Sequence, residues 1–191
     1  MSSSALLRGA RASRGVSQRT LASQSRIPQP RIADIESGRH DTTLSRLEQL
    51  LRALGQQVTL LPTAARPAWS AALDIADALA LDDERLTWRE VIQLSDDLAS
   101  AEPDVRVALC VAEPLLTGDE RYDALIAGIV DHWLSKDRLP RPSWVTQPSR
   151  TVRPAWDVEP LPRLQAVARA STPRALARHG VYLAASELSS V

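Results

Sequence analysis

The stretch Ser17-Gln18-Arg19-Thr20-Leu21-Ala22, continued after the four residues 23–26 by Ile27-Pro28-Gln29-Pro30-Arg31-Ile32-Ala33-Asp34-Ile35-Glu36-Ser37-Gly38, decides the fold of the first third of the chain. It reads as two short helices joined by a tight turn. Two helices packed at a steep angle need a small residue where they touch and apolar plugs around it. Ala22 supplies the first, and Leu21, Ile27, Ile32 and Ile35 supply the second. Ser17 is placed to cap a helix over 18–24. Gly38 can take positive φ after a helix from Gln29 to Ser37. Pro28 and Pro30 fall at the cap and first turn of that helix, where a missing N–H is tolerated.

Upstream, Ala5, Leu6, Ala10 and Arg14 predict a helix over 5–14, ended by Gly15. Downstream, Thr42 or Thr43 caps a helix over 44–54 with the apolar stripe Leu44, Leu47, Leu51 and Leu54. Gly55 stops it. Gln56 to Leu61 then reads as a strand ended by Pro62. A lone strand has an unpaired edge and invites pairing with a second copy, or with 181–183 of the same chain.

Residues 5–54 strongly resemble the Xre/Cro, lambda-repressor-like helix-turn-helix family, through the opening S-Q-x-x-L-A, the closing I-x-x-I-E-x-G and the following T-L-x-x-L. The resemblance implies a DNA-binding domain whose third helix enters the major groove. Gln18 then contacts backbone or base from the start of the second helix. Gln29, Pro30, Arg31 and Asp34 lie on the groove-facing side of the third. Gln29 matches adenine and Arg31 guanine by donor and acceptor pattern. Arg19, Arg39 and His40 are placed for phosphates. Glu36 is assigned to structure, paired with Arg11. Two departures stand out. The family turn has glycine where Arg26 stands, and Pro30 offers a base no polar group. The passage from Thr42 to Leu60 resembles HipB-type antitoxins, which implies a homodimer joined through Val58, Thr59, Leu60 and Leu61.

The rest of the chain reads as a second domain, 63–191, after a first of 1–62. A linker at 63–68 precedes helices over 69–80, 87–100, 104–116 and 119–135, read as a bundle. The last has Tyr122, Leu125, Ile126, Ile129, Val130, Trp133 and Leu134 at helical offsets. Six prolines crowd 140–162 together with Trp144 and Trp156, which predicts an extended strap pinned on the bundle. Ser171-Thr172-Pro173 opens a last short helix ended by Gly180, and Val181-Tyr182-Leu183 reads as a strand. The fold class is thus mainly α, with one short strand closing the first domain. This half resembles, more loosely, actinobacterial Xre-type antitoxins that accompany MNT/AbiEii-like nucleotidyltransferase toxins. The likeness lies in Pro103 to Leu109, the helix from Asp119 to Leu134, Trp144 and Arg178 to Leu183. It implies an antitoxin that represses its own operon.

Charge separates the parts. Residues 1–62 hold nine arginines and four acids; 63–137 hold six bases and sixteen acids; 138–191 hold eight bases and three acids. A basic head suits nucleic acid, and an acidic middle suits solvent or a protein partner. One cysteine, Cys110, excludes an internal disulfide. No apolar run is long enough for a membrane span, and no signal peptide is expected, so the expected location is cytoplasmic. His40, His132 and His179 lack metal-ligand spacing, and no phosphate loop or nucleophile elbow occurs. The sequence therefore predicts no enzyme, no cofactor and no metal. Its partners are expected to be a palindromic double-stranded DNA operator, a second copy and a nucleotidyltransferase-like toxin. A stand-alone regulator responding to a ligand is the alternative.

Overall fold

The computed structural model describes residues 3–188. They form ten α-helices and one two-stranded sheet, grouped in two compact units. The first unit comprises residues 1–62 with 113–115, and the second 63–112 with 116–191.

In the first unit, α1 (Ser3–Ser13), α2 (Gln18–Ser25), α3 (Gln29–Glu36) and α4 (Leu44–Ala53) surround one core. Leu7, Leu21, Ile32, Ile35 and Leu50 are fully buried in it, with Ile27, Leu47, Leu51 and Leu54 alongside. Ser17 caps α2, accepting the Thr20 N–H at 3.0 Å, and Thr43, not Thr42, caps α4. The predicted strand is not formed. Residues 56–61 are irregular, and Leu60 is 94 % exposed. Nor do they pair with 181–183, because Val181 and Tyr182 are paired elsewhere.

The second unit is built on α8 (Glu120–Lys136). Every residue from Tyr122 to Asp131 is buried. The sequence pattern predicts one apolar face, yet burial runs around the whole helix. On one side pack α5 (Ala68–Ala80), α6 (Glu84–Ser100) and α7 (Pro103–Val111). The other side is closed by the proline-rich segment and by α10 (Arg174–Arg178). Helix α7 stops at Val111 instead of reaching 116, and Pro114 lies just beyond it.

The strap expected over 140–162 forms two 3₁₀ turns, Ser143–Thr146 and Pro148–Arg150, and the strand β1 (Trp156–Asp157). Trp144 is buried and donates its indole N–H to the Cys110 carbonyl at 2.9 Å. β1 pairs in parallel with β2 (Val181–Tyr182). Gly180 is required beside it: φ is +77°, and a Cβ there would collide with the Val152 carbonyl.

Sequence reasoning missed α9 (Pro162–Ser171) and misplaced a cap. Ser171 and Thr172 do not cap α10. Both hydroxyls turn back to the Ala168 carbonyl of α9, and Pro173 holds the cap position of α10. Among the described residues no helix is long and apolar enough to cross a membrane.

Candidate nucleic-acid interface

The first and third helices are tied together by a part-buried ion pair. Arg11 of α1 grips Glu36 of α3 with two parallel bonds, Nε to Oε1 at 2.7 Å and Nη2 to Oε2 at 2.9 Å. Its Nη1 also donates to the Val16 carbonyl at 2.8 Å. Glu36 is buried. Its hydrogen bond to Arg11 raises the guanidinium pKa above the ordinary value, against the opposing effect of burial. The pair predicted from sequence is therefore present.

What sequence reasoning missed is where this pair leads. Glu36 Oε2 also accepts from Gln18 Nε2 at 2.8 Å. Gln18 Oε1 in turn accepts from Gln29 Nε2 at 2.9 Å. A carboxylate only accepts, so it fixes which end of the Gln18 amide faces inward. That fixes the Gln29 amide in sequence. Gln29 is left with its carbonyl oxygen and one amide hydrogen facing outward. One acceptor beside one donor is the set that matches the major-groove edge of adenine.

The turn between α2 and α3 is held from two sides. Ser25 donates its hydroxyl to the Leu21 carbonyl at 2.7 Å. Gln49 of α4 reaches back to the Ser25 carbonyl at 2.9 Å. Arg26 adopts the left-handed conformation, φ +59°, as its place in the turn demands, and is exposed. No sequence signal identifies Gln49, because its partner is a backbone oxygen 24 residues away.

Gln29 is the first residue of α3 and Pro30 the second; both are exposed. Pro30 removes one N–H from the helix start. No acid stands in the first turn of α2 or α3, so the positive helix ends are uncompensated. Arg11, Ser17, Gln18, Arg19 and Gln29 line an open depression of about 530 Å³ at these two helix starts. Arg31 is half-buried on α3.

Of the remaining candidates, Asp34 lies in the last turn of α3, and Arg39 and His40 lie past its C-terminal end. Asp34 and Arg39 pair with each other, Nη2 to Oδ1 at 3.1 Å, and Arg39 Nε donates to Ser37 Oγ. His40 is exposed, its backbone N–H held by the Asp34 carbonyl. The structure thus groups Gln18, Arg19 and Gln29 in one depression and sets Asp34, Arg39 and His40 apart from it. Val58, Thr59, Leu60 and Leu61 make no strand contact among the described residues.

Residues 4–64 match a family model described as a helix-turn-helix domain. The match agrees with the Xre-like reading of this segment and identifies the first unit as the DNA-binding domain of a regulator. No curated protein and no solved structure matches the chain.

Proposed function

We propose that this chain is a sequence-specific transcriptional repressor, acting as a homodimer on a palindromic operator, and that it is the antitoxin of a toxin–antitoxin pair that represses its own operon. The observation that carries the DNA reading is the hydrogen-bonded series Arg11–Glu36–Gln18–Gln29. It presents an oriented amide at the start of α3, the end of a recognition helix that meets base edges. Arg31 supplies a guanine partner and Arg19 a phosphate contact. The pairing of Asp34 with Arg39 makes Arg39 a residue that must exchange a carboxylate for a phosphate when DNA binds. The antitoxin role is supported by the resemblance of residues 103–109, 119–134 and 178–183. In this reading the chain is cytoplasmic and has no enzymatic role.

The test is a footprint on the protein's own promoter, with and without the neighbouring gene product. Gln29→Ala with Arg31→Ala is expected to abolish sequence preference and to leave weak, salt-dependent binding. Removing either base interaction should cost about 1–3 kcal/mol of discrimination. Equal protection of the same operator by the double variant rejects the groove assignment. A footprint indifferent to the neighbouring product rejects the antitoxin role.

A further inference from the structure

Asp131 of α8 is only 2 % exposed, yet two arginines from separate segments converge on it. Arg141 of the strap donates from Nη1 to Oδ1 at 3.0 Å, beside the Ser135 hydroxyl at 2.9 Å. Arg178 of α10 reaches Oδ2 from Nη2 at 2.9 Å, with His179 Nε2 at 3.5 Å from the same oxygen. One arginine would neutralise one carboxylate. The second leaves the group positive, and neither guanidinium is used up. Each spends one nitrogen on Asp131, although a guanidinium carries five N–H donors. Their side chains are 39 % and 54 % exposed. Arg174, one turn before Arg178 on α10, is exposed and makes no ion pair among the described residues. Arg174, Ala177 and Arg178 line a shallow open depression.

The buried carboxylate therefore acts as a pedestal that fixes two guanidinium forks at the surface, with a third beside them. Guanidinium forks match phosphate oxygens in both charge and geometry. The surface is too shallow to enclose a small ligand, which normally buries most of its area in a cleft. It fits phosphates carried on a polymer backbone. We propose that Arg141, Arg174 and Arg178 form a second DNA-binding surface, in the unit without the helix-turn-helix, that holds backbone phosphates without reading sequence. This rests on the chain being a DNA-binding protein, but not on which bases α3 reads.

The experiment measures binding of the full chain to an operator duplex and to a non-operator duplex across a salt series. Arg174→Glu touches no tie within the fold, so its melting temperature is expected to be unchanged. Its slope of log K on log salt should become shallower by about 0.9 for each phosphate no longer neutralised. Affinity should fall by the same factor on both duplexes, because phosphate contacts carry no sequence information. Arg141→Ala should make the slope shallower in the same way, with a lower melting temperature from the lost bond to Asp131, which Arg178 and Ser135 still hold. An unchanged slope in both variants overturns the proposal, as does a weakening confined to the operator. A wild-type protein that binds both duplexes equally rejects the operator reading while leaving this comparison of slopes intact.

Discussion

Glu36 ties the packing of the first unit to the orientation of the Gln29 amide. It is buried, it holds Arg11 with two bonds, and it fixes Gln18, which fixes Gln29. These roles separate by mutation. Arg11→Ala strands a buried carboxylate, and breaking such a pair costs about 3–5 kcal/mol, with the lower end expected because Arg11 keeps some exposure. Gln18→Ala strands no charge. It should leave the denaturation midpoint nearly unchanged while weakening operator binding, because the Gln29 amide is then free to turn over. Urea unfolding and operator titration of the two variants distinguish the effects. Equal loss of stability in both would mean that Gln18 serves the fold alone.

Arg26 poses the opposite question, since its backbone is strained where glycine would not be. A left-handed non-glycine residue costs roughly 1–2 kcal/mol. Glycine returns roughly 0.5–1 kcal/mol of that through its freer unfolded chain. Arg26→Gly is therefore expected to raise stability by up to about 1.5 kcal/mol on these figures, read as a higher thermal midpoint. If the exposed guanidinium also serves DNA, the same variant binds less tightly in low salt. At the level of single residues, part of the site's internal geometry was legible. The Arg11–Glu36 pair and the strained Arg26 follow from motif positions, whereas the bridge through Gln18 depends on distances across the fold that no spacing encodes.

Among the elements, α8 shows how far a hydrophobic pattern can mislead. Its apolar offsets predict a helix, correctly, with one wet face. The supposedly wet positions include Asp123 and Asp131, and both are buried. They become tolerable because other segments bring partners: Thr117 N–H and Arg150 toward Asp123, and Ser135, Arg141, Arg178 and His179 toward Asp131. Helix α9 fails in the other direction. Its apolar residues Leu164 and Val167 and the adjoining Leu161 are exposed and only Ala168 is buried, so no apolar stripe marks it, and the proline-rich stretch 140–162 ends where it begins. Pro162 is in fact its first residue, the one helical position proline suits.

The environment of Asp131 makes a pH prediction at this same scale. Burial alone would raise its pKa, but hydrogen bonds from His179, Ser135 and Arg141 and the charge of Arg178 outweigh burial and bring it to about 2. A depressed carboxyl pKa contributes stability above the ordinary value of 3.8, and that contribution is lost as pH falls through about 2. Asp131→Asn should thus be less stable than wild type at neutral pH. The two stability curves should draw together as pH falls through that window. Parallel curves throughout would show that Asp131 does not titrate against its partners.

Over the whole molecule, the acidic block of the sequence does not survive as one surface. Much of the acidic middle is spent inside its own unit. Arg66 takes Asp74, Glu90 and Asp97, Arg106 pairs with Asp137, and Arg121 pairs with Asp119. Asp104, Asp119 and Glu120 stand at helix starts, where the backbone dipole favours a negative charge. What remains for an electropositive partner is narrower than composition suggests. It includes the exposed turn Asp82-Asp83-Glu84 between α5 and α6.

Residues 56–61 are where the proposed homodimer can be tested. Val58 is 38 % and Leu60 94 % exposed, two residues apart, so in an extended conformation they share one face. A single chain gains nothing by exposing them, and pairing across two copies would cover both and satisfy their backbone groups. Replacing Val58 and Leu60 with lysine puts like charges on facing positions of such a pair, which is destabilising. Sedimentation should then show a dimer for the wild type and a monomer for V58K/L60K. Thermal unfolding of each unit should be little altered, because neither residue belongs to the first unit's core. Operator binding should weaken as well, since two half-sites can no longer be bound together. A wild type that stays monomeric at every concentration would reject strand pairing, and the operator would then be read by one helix-turn-helix at a time.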